Sequence, residues 1–255
     1  MQPGLAHEAG SFVYADTREE DPQIASLIRD ALGDVDTVVN IGAGTGSYEP
    51  PDLSVVAVEP SAVMIGQRPR GTAPVIRGTA EALPLADGAV DAALAVLSTH
   101  HWDNVARGLG EIRRVARRRA VIFTCDPRAH DFWLYDYLPS ALSSAWRRLP
   151  PLAVYESLGP ARVVPVPIPR DCRDGFVAAW WARPDAFLDP MIRANITAFR
   201  HIPEVELQAG LDRLRADLLS GAWESRYGPG DRETLECGYR LVVAELSCRA
   251  RGRSG

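Results

Sequence analysis

Residues 38–49 read VVNIGAGTGSYE, an apolar β-branched run that breaks into Gly42, Gly44 and Gly46 at alternate positions. Few folds accommodate that junction. Glycine takes positive φ angles freely and lets a ligand lie against bare backbone. A buried strand that opens into such a loop marks the carboxyl edge of a parallel α/β sheet, where ligands bind. The loop is expected to lead into a helix start. Its G-x-G-x-G spacing is not the G-x-G-x-x-G of dinucleotide enzymes, whose third glycine would fall on Ser47, and no Gly-Lys-Ser/Thr follows to make a phosphate loop. The next apolar run, VVAVEPS at 55–61, ends on Glu59, 13 positions after Gly46. A carboxylate there can accept hydrogen bonds from both ribose hydroxyls of an adenosine.

The elements around this pair predict one fold class. Asp21-Pro22 reads as an N-cap followed by proline at the first helical position, and Gly33 closes that helix. Short runs apolar on both faces follow at 37–41, 54–59, 75–77, 90–97 and 120–124. Such strands belong in a parallel sheet covered on both sides. Ser61 caps a helix reaching Gln67, and Leu109, Ile112, Val115 and Ala116 make one apolar helical face. Alternating strands and helices imply right-handed crossovers. The expectation is a Rossmann-like, doubly wound, mostly parallel seven-stranded α/β sheet, with helices on both faces and a helical cap inserted before the last strand. The second half predicts a helix over 130–149 and a strand over 161–168, placed at a sheet edge by Pro165 and Pro167. Residues 170–235 read as mainly helical, including 205–219, and 239–246 as a final strand. The corresponding division is a cofactor-binding core of 1–127 and 236–250. Residues 128–235 would add a further strand and a cap that shapes an acceptor pocket.

Taken in order, NIGAGTG (40–46), VVAVEPS (55–61), GTAEALPLADGAVDAALAVLSTHHW (78–102), EIRRVAR (111–117) and AVIFT (120–124) resemble the motifs of class I S-adenosylmethionine-dependent methyltransferases. The branch resembled is that of the ubiquinone/menaquinone-biosynthesis methylases. The resemblance covers about residues 35–125. It implies S-adenosylmethionine as cofactor, S-adenosylhomocysteine as product, and a small-molecule acceptor. It places Asn40, Gly42, Ala43, Gly44 and Gly46 on the cofactor, then Glu59, Pro60, Ser61 and Met64. Thr79, Ala80 and Glu81 match the adenine-edge segment, and Leu97 and Ser98 close the set. Tyr14 and Arg18 resemble the family's N-terminal lid, with an aromatic face suited to a sulfonium cation. Two departures stand out. Asn40 occupies a position where the family usually has Asp, and Arg117, Arg118 and Arg119 replace the usual Pro-Gly-Gly.

The acceptor should meet the methyl group beyond the fourth strand, at Ser98-Thr99-His100-His101-Trp102. His101 and His100 are the candidate catalytic bases, since imidazole takes up protons near neutral pH. On an extended segment the two would face opposite ways, and one metal could not easily hold both. No metal site is expected. Trp102 and His201 are candidate acceptor contacts. Trp133, Tyr135, Tyr137, Trp146, Phe176, Trp180, Trp181 and Phe187 would wall off water, though most are expected to be ordinary core. Cys172 reads as a packing residue.

Composition narrows the classes further. The net charge of −5 offers no general attraction to nucleic acid or an anionic membrane. The arginines at 113, 114 and 117–119 lie on a polar helix face and its C-terminal end, where cations suit the dipole. Cys125, Cys172, Cys237 and Cys248 are widely spaced, which argues against a zinc site or disulfide framework and for a reducing, cytoplasmic setting. The segment MQPGLAHEAG lacks signal-peptide character, and no run is apolar enough to span a bilayer. Two other readings remain beside methyl transfer: a silent S-adenosylmethionine-binding module, and a nicotinamide oxidoreductase.

Overall fold

A computed structural model describes residues 19–129, 132–141 and 148–246. In chain order the elements that matter are helix α1 (Pro22–Leu32), strands β1 (Thr37–Ile41) and β2 (Ser54–Glu59), helix α2 (Ala62–Gly66), strands β3 (Val75–Arg77) and β4 (Val90–Val96), helix α3 (Val105–Val115) and strand β5 (Ala116–Cys125). Then come helix α4 (Leu134–Tyr137), strands β6 (Ala161–Pro165) and β7 (Ile168–Pro169), helices α5 (Pro190–Ala194), α6 (Glu204–Ser220) and α7 (Ala222–Tyr227), and strands β8 (Thr234–Leu235) and β9 (Tyr239–Glu245).

The chain divides into two compact units. One is built from Leu27–Thr124, Pro150–Val164 and the stretch from Arg240. It is organised around a seven-stranded sheet of order β3-β2-β1-β4-β5-β9-β6. The pairs β1–β2, β1–β4, β2–β3 and β4–β5 are all parallel. The architecture is the expected Rossmann-like α/β sheet. Strands β1 and β4 sit centrally, so both faces are covered and their residues are buried almost throughout. That is why each reads as a continuous apolar run rather than an alternating one. The α3 residues Leu109, Ile112 and Val115 bury one helical face against this sheet, together with Tyr155 and Leu158. Strand β6 is an edge, where Pro165 removes no needed hydrogen bond.

The other unit is built from residues up to Ser26, Cys125–Leu149 and Pro165–Tyr239. Its centre is aromatic. The Trp133 ring meets Phe187, Trp223 and Tyr137 edge-on, with centroids 5.6, 5.3 and 6.0 Å away. Edge-to-face pairing suits the ring quadrupoles. Trp133 donates Nε1–H to the Trp181 carbonyl at 2.8 Å. Trp133, Tyr137, Phe176, Trp181 and Phe187 are core, as expected, and Cys172 is fully buried. Burial pushes the Cys172 thiol up to about 12, as befits a packing residue.

Several boundaries differ from expectation, each for a local reason. Asp21 does cap α1, accepting from the Gln23 and Ile24 N–H groups at 2.9 and 3.2 Å. No helix follows the glycine loop, however. Residues 42–53 run as turns, because Pro50-Pro51 can supply neither hydrogen-bond donors nor a helical interior. Strand β5 begins at Ala116, directly after α3, so Arg117, Arg118 and Arg119 are strand residues and there is no intervening turn. The helix expected over 130–149 is interrupted, with Leu138 at φ −135° and ψ 73°. Its residues 130–131 and 142–147, Trp146 among them, lie outside the described part. The strand expected over 161–168 divides into β6 and β7. Residues 170–235 are mainly helical, as expected, but in short pieces: three 3₁₀ turns and the short α5 and α7, with α6 the one long helix. Among the described residues no helix is long and apolar enough to cross a membrane.

Candidate cofactor and methyl-transfer site

The glycine loop is tied to the end of β2. The Gly42 and Ala43 N–H groups both donate to the Val58 carbonyl, at 2.8 and 3.2 Å, and Gly46 N–H closes a turn on Ala43 at 2.9 Å. Gly42, Gly44 and Gly46 have φ of 68°, 53° and 99°. At Gly42 the need for glycine is also steric: a Cβ would lie 2.7 Å from that of Ser98. Ser98 in turn donates its hydroxyl to the Ile41 carbonyl at 2.8 Å, which fastens the end of β4 to the start of the loop. Leu97, just before it, holds φ 47°, a conformation that costs a non-glycine residue about 1–3 kcal/mol and gathers at functional sites.

Glu59 stands at the β2 terminus, 6% exposed. One carboxylate oxygen accepts from Gly44 N–H at 2.8 Å and the other from Ser61 N–H at 2.9 Å. Each oxygen keeps a second lone pair. Pro60 is exposed, and its carbonyl accepts from Arg77 Nε at 3.2 Å. Ser61 caps α2 through its hydroxyl, and the buried Met64 places its methyl 3.5 Å from where a Gly44 Cβ would lie. So Glu59, the loop, Ser61 and Met64 form one constellation. Thr79 and Ala82 make an isolated bridge, with Ala80 buried between them. Glu81 accepts from Asn104 N–H at 3.0 Å, at the start of α3.

The histidines differ from expectation. Thr99–His101 is a 3₁₀ turn, not an extended segment. The His100 and His101 rings therefore do not face opposite ways; their centroids are 3.9 Å apart. The turn is pinned from below by a hydrogen bond between the Thr99 and Tyr155 hydroxyls, 2.8 Å and fully buried. Trp102 lies across α3, filling the space above Gly108, and its Nε1 is 3.9 Å from where a Gly42 Cβ would lie. Its packing therefore puts it beside the glycine loop. His201 belongs to the other unit and is exposed at the end of the turn Thr197–His201. Tyr14 and Arg18 lie outside the described residues.

Three residues escaped the sequence reading. Tyr155 is 56 positions from the threonine it holds. Glu49 and Arg68 form an ion pair of 2.7 Å, with side chains only 6% and 4% exposed, beneath the loop. Neither distance leaves a periodic or local signature. Most of the arginine cluster pairs within the chain, and Arg113 donates to the Ser157 carbonyl at 3.1 Å. Arg114 binds Glu111 and Asp87, Arg117 binds Asp91, Arg118 binds Asp34, and Arg119 binds Glu245. Among the described residues no group of three or more His, Cys, Asp or Glu side chains is gathered as metal ligands would be.

Among the described residues, the buried Asn40 Oδ1 and Trp102 Nε1 beside the loop, like Arg68 Nε, find no hydrogen-bond partner. Buried polar groups are normally paired. An acceptor and a donor left open around a glycine cradle, with lone pairs remaining on Glu59, fit a nucleoside carrying an amino-acid tail.

Residues 39–124 match the family model described as a methyltransferase domain. Over 87 residues the chain is 40% identical to an uncharacterized methyltransferase of Mycobacterium tuberculosis, covering 31% of this chain and 35% of that protein. It is 32% identical over 118 residues to a malonyl-[acyl-carrier protein] O-methyltransferase of Pectobacterium atrosepticum, with 44% of each chain covered. The matched stretch thus spans less than half the length of these curated relatives. The likeness extends much further to a crystal structure from Anabaena variabilis, described as a putative methyltransferase from an antibiotic biosynthesis pathway. There the identity is 33%, the TM-score 0.84, and the coverage 90% of this chain and 99% of that one. The chain belongs to the class I S-adenosylmethionine-dependent methyltransferases, and S-adenosylmethionine is its cofactor.

Proposed function

We propose that the protein transfers a methyl group from S-adenosylmethionine to an oxygen, nitrogen or carbon atom of a small molecule, by in-line displacement. The observation that carries this reading is Glu59, whose carboxylate bridges the Gly44 and Ser61 amides and still has lone pairs for two ribose hydroxyls. When bound, the cofactor supplies a methyl group already activated on a sulfonium. The chain's residues have only to bind, orient and move a proton. Gly42, Gly44 and Gly46 admit the cofactor against the backbone. Thr79, Ala80 and Glu81 border the adenine, and Leu97 and Ser98 fix the loop at the end of β4. The His100–His101 turn takes the acceptor's proton, held in place by Tyr155 through Thr99. Orientation of the two reactants accounts for several kcal/mol of the barrier. A small acceptor is favoured over nucleic acid because the net charge of −5 gives no general attraction to phosphates and four of the five clustered arginines, 114 and 117–119, already pair with carboxylates of this chain.

The test is calorimetry with S-adenosylhomocysteine in the presence of EDTA, followed by transfer of labelled methyl to fractions of a metabolite pool. Binding with transfer supports the reading. No binding at millimolar nucleoside overturns it. Binding without transfer to any fraction favours the silent binding module instead.

A further inference from the structure

Asn40, at the end of β1, is 1% exposed. Its amide donates Nδ2–H to Glu49 Oε1 at 3.1 Å. The direction of that bond is fixed by chemistry, since a carboxylate only accepts and the amide must turn its nitrogen toward Glu49. Oδ1 is thereby forced the other way, where it is buried and has no partner among the described residues. Glu49 is itself held from three sides. Arg68 donates to both of its oxygens at 2.8 and 2.7 Å, and Ala73 N–H donates at 3.2 Å. Arg68 also reaches the carbonyls of Gly44 and Ala73, and its guanidinium lies 3.2 Å from where a Gly46 Cβ would be. The third glycine of the loop therefore makes room for this arginine.

The arrangement explains why position 40 carries an amide. An Asp there would place a second carboxylate about 3 Å from Glu49, and like charges at that distance cannot both stay ionised cheaply. We propose that Glu49 and Arg68 are positioning residues for the cofactor: they hold the Asn40 amide so that its Oδ1 receives the α-ammonium of S-adenosylmethionine. The negative charge thus sits one step behind the contact, on Glu49, where Arg68 anchors it. This rests on the cofactor reading above and adds to it the residues that set recognition of the amino-acid tail.

Calorimetry with two ligands tests it: S-adenosylhomocysteine, which has the tail, and 5′-methylthioadenosine, which lacks it. Asn40→Asp should weaken S-adenosylhomocysteine by at least about tenfold, the scale of one lost charged hydrogen bond. The double exchange Asn40→Asp with Glu49→Gln restores one acid facing one amide, and should bring affinity back to within about threefold of the parent, since contacting sites are not additive. Methylthioadenosine should bind all of these within about twofold, because pairing at the tail leaves the nucleoside contacts unchanged. Three outcomes overturn the proposal: an Asn40→Asp protein that binds like the parent, a double variant that stays weak, or a loss of methylthioadenosine binding in step, which would mean a collapsed loop. A parent that binds neither ligand overturns the cofactor reading itself, and this inference with it.

Discussion

Replacing Glu59 with Gln tests the centre of the site at nearly constant volume. The native carboxylate accepts from Gly44 N–H at 2.8 Å and from Ser61 N–H at 2.9 Å. A glutamine can satisfy one of these with its oxygen. Its amide nitrogen then faces the other N–H, donor against donor. One amide loses its acceptor in a position that is 6% exposed. Hydrogen bonds to charged groups contribute about 1.5–3 kcal/mol each, so the unliganded protein should lose roughly that much stability. The cofactor suffers separately, because a neutral amide offers the ribose hydroxyls weaker acceptance than a carboxylate. A further loss of about 2–3 kcal/mol corresponds to roughly 30- to 150-fold in Kd. The sheet should survive, since its strand pairings are backbone hydrogen bonds that involve no side chain of Glu59. The assays are calorimetry with S-adenosylhomocysteine and thermal unfolding on the same sample. A variant that binds within twofold of the parent would refute the assignment of Glu59 to the ribose, whatever its melting temperature.

Other expectations follow from neighbouring geometry. Gly108→Ala would put a Cβ 2.5 Å from Trp102 Cε3, so it should destabilise the protein by about 1–3 kcal/mol despite alanine's better helix propensity; urea unfolding that matches the parent would refute the packing. Asp91 accepts from the Asp36 and Thr37 amides, the Thr37 hydroxyl and Arg117, and the Arg117 guanidinium foremost holds its carboxyl well below the usual range. A depressed native value stabilises the fold above about pH 4 and loses that effect as pH falls further. Asp91→Asn should therefore be less stable at pH 7 and show a shallower decline between pH 5 and 2, and parallel melting curves would contradict this. His101→Ala should lower turnover by about 10²–10⁴-fold with S-adenosylhomocysteine affinity unchanged. Because the two rings are 3.9 Å apart, His100→Ala should lower turnover as well; full rate in both variants would remove the histidines from proton transfer.

The sheet was legible because its strands obey short-range rules. The apolar runs 37–41, 54–59 and 75–77 became β1, β2 and β3 with unchanged limits, and the Asp21 and Ser61 caps were placed correctly. Glycine and acid at fixed spacing likewise announced the loop and Glu59. What failed was chain continuation. The loop was expected to enter a helix, and Pro50-Pro51 forbade it. His100 and His101 were assigned to an extended segment, yet the positive φ of Leu97 bends the chain into a 3₁₀ turn at once. Residues joined across long separations left no trace. Arg68 finds Glu49 19 positions away, and Tyr155 finds Thr99 56 positions away. Such pairs are visible only once the sheet has brought the segments together.

The position of β9 has a consequence for how the chain must be made. Strand β5 carries Ala120, Val121, Ile122 and Phe123, all fully buried in the finished sheet, and its outer neighbour is β9. More than a hundred residues separate the end of β5 at Cys125 from the start of β9 at Tyr239. At the ribosome's pace of ~5–20 residues per second, that interval lasts roughly 5–20 s. Throughout it, β1 to β5 can already be paired while the outer edge of β5 presents unpaired backbone N–H and C=O groups flanked by apolar side chains. An edge of that kind pairs readily with any other chain. The nascent protein therefore passes through a sticky stage late in synthesis, and its yield should depend on chaperone supply and temperature more than the stability of the completed fold would suggest.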